Sequence, residues 1–141
     1  MTRKRDAAVA DRVWASLVAI VMDTRGDWRR RVVEATGIPF GRYRALKRLH
    51  DGPLALHALA EAMTIDAPAA TVAVNDLEKR GLVVRQPHPT NRRVKLVSLT
   101  PAGRAVVAKG RAVTERAPAA FAAIPAAELA ALARALDAMT A

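Results

Sequence analysis

Arg92, Arg93 and Lys95 stand together just after Pro87-His88-Pro89-Thr90-Asn91, a polar stretch between two β-branched-rich runs. Cations on such a hairpin tip suit phosphate oxygens and the electronegative minor groove of a nucleic acid. A different polar chemistry lies upstream. Pro68, Ala69, Thr71, Val72 and Asn75 fall on the outward positions of a helix read over about 67–80. Thr71 and Asn75 can hydrogen-bond base edges or phosphates, whereas Ala69 and Val72 offer only apolar contact to thymine methyls. Direct base readout by such a face is modest, so phosphates and groove shape must supply much of any affinity. Arg29-Arg30-Arg31 reads as a solvated face, with a second phosphate patch as the alternative. Catalytic chemistry finds no support. Asp6, Asp23, Asp27 and Glu34 make no close carboxylate pair with a reacting partner. The chain has no cysteine, which removes disulfides, thiolate metal sites and a cysteine nucleophile. His50, His57 and His88 are scattered, without metal-ligand spacing. Neither enzyme activity, metal nor cofactor is expected.

The composition agrees with a binding role. The 141 residues are 52 % apolar and 26 % charged, a balance that fits one globular domain with a real core. Lys and Arg number 23 against 13 acids, and a net charge of +10 points to a polyanionic partner. That charge is uneven: residues 117–141 hold Arg134 against Glu128 and Asp137, net −1, which leaves +11 on residues 1–116. Alanine supplies 17 of the last 40 residues. A basic front and a neutral, small-residue back suggest that one contacts the ligand and the other self-associates. No apolar run reaches the roughly 18 residues of a membrane span. A soluble, cytoplasmic protein is expected.

The elements that would position these residues follow from periodicity. Residues 7–35 read as a long helix with Trp14, Leu17, Val18, Val21, Trp28 and Val32 on one stripe. Gly37 and Pro39 end it, and Pro39 opens a helix burying Tyr43, Leu46 and Leu49. Asp51-Gly52-Pro53 is a turn, followed by a helix at about 56–63 with Leu56, Leu59 and Met63 inward. Thr64-Ile65-Asp66 is a tight connection, with Asp66 as N-cap of the helix that buries Ala70, Ala73, Val74 and Leu77. Leu82–Gln86 and Val94–Leu99 read as two strands of a hairpin. Thr100-Pro101 starts another helix, Pro118 interrupts it, and Pro125 opens the last, with Leu129, Leu132, Leu136 and Met139 on one side. The expected fold is mainly α with a small β-hairpin wing. Two short helices joined by a three-residue turn and followed by a hairpin make a winged helix-turn-helix.

Two segments sharpen that reading: Asp76-Leu-Glu-Lys-Arg-Gly-Leu-Val-Val-Arg85 and Asn91-Arg-Arg-Val-Lys-Leu-Val-Ser-Leu-Thr-Pro-Ala-Gly103. Together, at a hairpin-length gap, they resemble the MarR family of bacterial transcription regulators. Its signature is a Leu-Glu-Lys-Arg-Gly-Leu-Val-type helix end, an Asp-x-Arg wing and a Leu-Thr-x-x-Gly helix entry. The resemblance covers residues 36–110 by motif and the remainder by helix order. It implies a single domain over 1–141, with dimerisation helices at 7–35 and 101–141. The winged helix-turn-helix would occupy 36–100, its helix-turn-helix at about 56–80 and its wing at about 82–99. It further implies a homodimer on a palindromic operator, acting as a repressor and released by a small aromatic effector. Arg93 falls where the family's wing arginine enters the minor groove, beside Thr90, Asn91, Arg92 and Lys95. Asn91 departs from the family's usual aspartate, which would hold that arginine more strongly. Trp28, Phe40, Tyr43 and Arg44 are the effector-pocket candidates. The dimerisation candidates are Val13, Leu17, Val113, Phe121, Leu129, Leu132 and Leu136, whose stripes are too extensive for a small winged domain to cover. The rival reading is a sequence-tolerant, nucleoid-type nucleic-acid binder.

Overall fold

The computed structural model describes residues 1–141. Its first element, α1 (Thr2–Thr36), begins five residues before the start expected at residue 7, because nothing in the polar segment 2–6 breaks a helix. Gly37 stops it in the left-handed region (φ 71°), its N–H bonded to Val33 O at 2.9 Å. Pro39 then caps α2 (Phe40–Arg48), which buries Tyr43, Ala45 and Leu46. After the 51–53 turn comes a strand absent from the sequence reading, β1 (Leu54–Ala55). It is too short for a periodic signal. It pairs antiparallel with β3 (Lys95–Leu99), and β3 pairs with β2 (Val83–Pro87), so the expected two-stranded hairpin is a three-stranded sheet of order β1-β3-β2.

The helix-turn-helix is formed by α3 (Leu56–Met63) and α4 (Ala67–Lys79). Thr64 closes α3 at φ 56°, a left-handed conformation unusual for a β-branched residue. Ile65 N–H to Ala60 O and Thr64 N–H to Glu61 O, both 3.0 Å, complete a Schellman-type end. Asp66 caps α4, its carboxylate accepting from Ala69 N–H at 2.7 Å. After the sheet, α5 (Pro101–Thr114) is capped by Thr100, which accepts from Gly103 N–H at 3.0 Å and donates to Gly81 O at 2.7 Å. Helix α5 ends at Thr114, short of the Pro118 expected to interrupt it. Pro118 leads instead into a 3-10 turn at Ala119–Ala123, and α6 (Ala126–Thr140) follows.

One core holds the winged part together, built from Val32, Tyr43, Leu46, Leu59, Val74, Leu77, Val83, Val97 and Val107 with their neighbours. The inward faces expected of α2 and α4 are the buried ones. Helix α5 joins this core through Val107, with Val106 and Val113 packed against it. Val113 is half-buried against its own chain, and α5 packs on the winged core through Val107. The rest of the 101–141 segment differs. The 3-10 turn and α6 have no buried residue, and α1 buries only Val32.

Candidate nucleic-acid interface

Helix α4 turns Pro68, Ala69, Val72 and Asn75 outward, Val72 being 59 % exposed, while Thr71 is half-buried. Burial of Ala70, Ala73, Val74 and Leu77 on the opposite face fixes that orientation. The Thr71 hydroxyl donates back to Ala67 O at 3.0 Å, so its oxygen faces outward only as an acceptor. Asp76, at the edge of this surface, is neutralised by two arginines, Arg42 Nε at 2.9 Å and Arg80 Nε at 3.1 Å. The Arg42 hydrogen bond above all, with Arg80 behind it and burial opposing, holds the Asp76 carboxyl below its usual range. No uncompensated anion is thereby left at the edge of this surface.

The wing tip is shaped by side chains that fold back onto it. His88 Nδ1 lies 3.1 Å from Thr90 N–H and 3.3 Å from Asn91 N–H and accepts from both. His88 N–H donates in turn to Val94 O at 2.9 Å. Asn91 Oδ1 accepts the backbone N–H of Arg93 at 3.3 Å. Asn91 thus holds the turn rather than the Arg93 guanidinium, which corrects the role suggested by the aspartate of related wings. The side chains of Arg92, Arg93 and Lys95 are exposed and make no hydrogen bond or ion pair within the chain. Thr90 is exposed beside them, its hydroxyl 3.1 Å from His88 Nδ1.

A residue without an expected role connects wing and helix. Arg85 reaches from β2 to α4, its Nη2 donating to Asn75 Oδ1 at 2.5 Å and its Nη1 lying 3.5 Å from Glu78 Oε1. The strand pattern carries a signal for this. Arg85 follows buried Val83 by two residues and so lies on the face that packs toward α4. The Arg42–Asp76 pair, 34 residues apart, leaves no such trace in the sequence.

Trp28, Phe40, Tyr43 and Arg44, the four pocket candidates, do line one cleft, of about 820 Å³, between α1, α2 and the α3 region. Trp28 meets Phe40 edge-on with centroids 5.0 Å apart, and the Arg29 guanidinium sits 4.7 Å from the Phe40 centroid. Arg25, Arg29, Arg44, Lys47 and Arg48 face the cleft against one acid, Asp51. Tyr43 is buried, its hydroxyl without a hydrogen-bond partner. Burial pushes its pKa up, with the nearby Arg111 charge pulling partly back.

The sequence profile of the MarR family matches residues 41–95, the span from α2 to the start of β3. A crystal structure of RV1404 from Mycobacterium tuberculosis superposes with a TM-score of 0.76 at 30 % identity, covering 93 % of this chain and 91 % of that one. The chain belongs to the MarR family. Members of that family are transcription regulators, and the winged helix described above is the fold shared here. A protein of Thauera aromatica described as a transcriptional regulatory protein for the hcr operon is 36 % identical over 81 residues, 57 % of this chain. The match spans about half, 49 %, of that relative's length. CouR from Rhodococcus jostii RHA1, solved bound to p-coumaroyl-CoA, is 26 % identical with a TM-score of 0.63, covering 87 % of this MarR-family chain and 90 % of CouR. No helix of the chain is long and apolar enough to cross a membrane.

Proposed function

We propose that this MarR-family chain is a homodimeric, sequence-specific DNA-binding repressor, acting in the cytoplasm on a palindromic operator. The observation that carries this reading is the unpaired set Arg92, Arg93 and Lys95 at the tip of a wing tethered to the exposed helix α4. Helix α4 enters the major groove with Pro68, Ala69, Thr71, Val72 and Asn75, while Thr90, Asn91 and the wing cations meet phosphates and the adjoining minor groove. Within the single domain, the helices over 7–35 and 101–141 form the dimer. The clefted region at Trp28, Phe40, Tyr43 and Arg44 takes a small effector. Its aromatic walls and excess of cations suit an aromatic acid, and CouR offers the precedent of a bound aromatic acyl-CoA.

Binding of DNA flanking the chain's own gene, compared with random DNA at one stated salt concentration, tests the reading. Log affinity for the operator should fall against log salt with a slope on the order of −6 to −10. A slope near zero would remove the phosphate-based account. The exposed Val72 and the apolar Pro68 and Ala69 favour a second reading, a sequence-tolerant binder, which predicts equal affinity for both DNAs.

A further inference from the structure

Asn75 does not offer both of its hydrogen-bonding groups to a groove. Its oxygen accepts from Arg85 Nη2 at 2.5 Å. A guanidinium has only donors, so chemistry fixes which end of the amide faces it: Oδ1 turns to Arg85, and the NH₂ turns away. Arg85 is the anchored partner of the two. Its side chain is 29 % exposed, it rises from the inward face of β2, and Glu78, three residues along α4 from Asn75, pairs with its other terminal nitrogen at 3.5 Å.

An asparagine that reads adenine needs both ends, Oδ1 accepting from N6 and Nδ2 donating to N7. Here Oδ1 is engaged. Its remaining lone pair sits beside a cation, which repels the partly positive amino group of adenine or cytosine. We propose that Arg85 is a positioning residue that sets the base preference of Asn75. It turns a two-ended adenine reader into a donor that seeks acceptors, guanine O6 and N7 first and thymine O4 second. The inference rests on the reading of α4 as the major-groove helix.

The test is selection from a randomised duplex library by the full-length wild type, Arg85→Met, Asn75→Ala and the double variant. Methionine keeps an unbranched apolar stem on the strand while removing every donor. Wild type should select guanine or thymine at one position per half-site, and Asn75→Ala should erase that preference alone. In Arg85→Met the same position should shift toward adenine, by on the order of tenfold in relative affinity. The shift should vanish in the double variant. Should Arg85→Met fold poorly by circular dichroism, Glu78→Gln loosens the same anchor and should move the preference in the same direction by a smaller factor. A uniform loss across all sequences with the preference unchanged would overturn the proposal, as would adenine at that position in wild type. If wild type selects no sequence at all, the operator-specific function falls along with it.

Discussion

At the scale of single residues, the winged helix separates cations that hold structure from cations left for a ligand. Arg42, Arg80 and Arg85 are spent on Asp76, Glu78 and Asn75, whereas Arg92, Arg93 and Lys95 have no partner. Arg93→Ala should therefore weaken operator binding by about 1–3 kcal/mol per wing while leaving the melting temperature unchanged. Equal affinity in the variant would make Arg93 a solvated tip residue. Asn91 bonds the backbone of Arg93, so Asn91→Asp should keep the turn, strengthen it through a charged acceptor, and reduce random-sequence binding through the added negative charge. Asp76 makes a separate prediction about pH. Its carboxyl is depressed in the folded state, so its contribution is fully present above the ordinary carboxylate range and is lost as pH falls through the depressed value. The melting temperature of Asp76→Asn should lie below that of wild type at neutral pH, and the gap should close as pH falls below the ordinary carboxylate range. A gap independent of pH would mean that the variant acts through packing instead.

At the scale of elements, two glycines explain why α5 sits where it does. A Cβ on Gly103 would lie 2.1 Å from Leu82 O, and one on Gly110 would lie 2.0 Å from Tyr43 Cε2. The motif glycine of the Leu-Thr-x-x-Gly entry is thus a close approach of α5 to the backbone just before β2. Gly110→Ala should displace the Tyr43 ring and cost about 1–3 kcal/mol, read from denaturant unfolding. Gly26→Ala in α1, where nothing lies within 4 Å, should be neutral or stabilising by up to about 1 kcal/mol. Equal effects at the two sites would show that helix propensity, and not the contact, decides. These elements were legible to the degree that their signals are local. The caps at Asp66 and Thr100, the turn at 64–66 and the buried faces of α2 and α4 follow from spacing along the chain. Strand β1 did not, since two residues carry no period, and the pairing of Leu54 with Val97 arises only in the assembled fold. The site divides in the same way. The cations of the wing are visible as a run, and strand alternation puts Arg85 on the face of Val83, but its contact with Asn75 requires knowing that β2 packs on α4.

At the scale of the whole molecule, the buried core ends near Gly110 while apolar surface continues on both sides of it. Trp14 is 66 % exposed and Val21 62 % exposed on α1, and Val13, Leu129 and Leu136 are exposed as well. Leu17, Phe121 and Leu132 are only half-covered by their own chain. Exposed apolar faces of this extent fit the proposed dimer, and the near-neutral segment 117–141 would let two copies meet with little repulsion. Two copies joined there would place two wings on one duplex, so that the second half-site is bound at a high effective concentration. Leu132→Asp combined with Leu136→Asp buries a carboxylate at each contact and should give monomers or insoluble chain. The winged core lies outside these positions, so a soluble double variant should keep the slow hydrogen exchange of α2, α4 and the sheet. Its operator affinity should nevertheless fall by about 10²-fold or more as two-site avidity is lost, while contact of one wing with one half-site persists. Sedimentation decides the matter. A soluble double variant that still sediments as a dimer would place the interface elsewhere, and a monomer with undiminished operator affinity would show that dimerisation is not what gives this chain its grip on DNA.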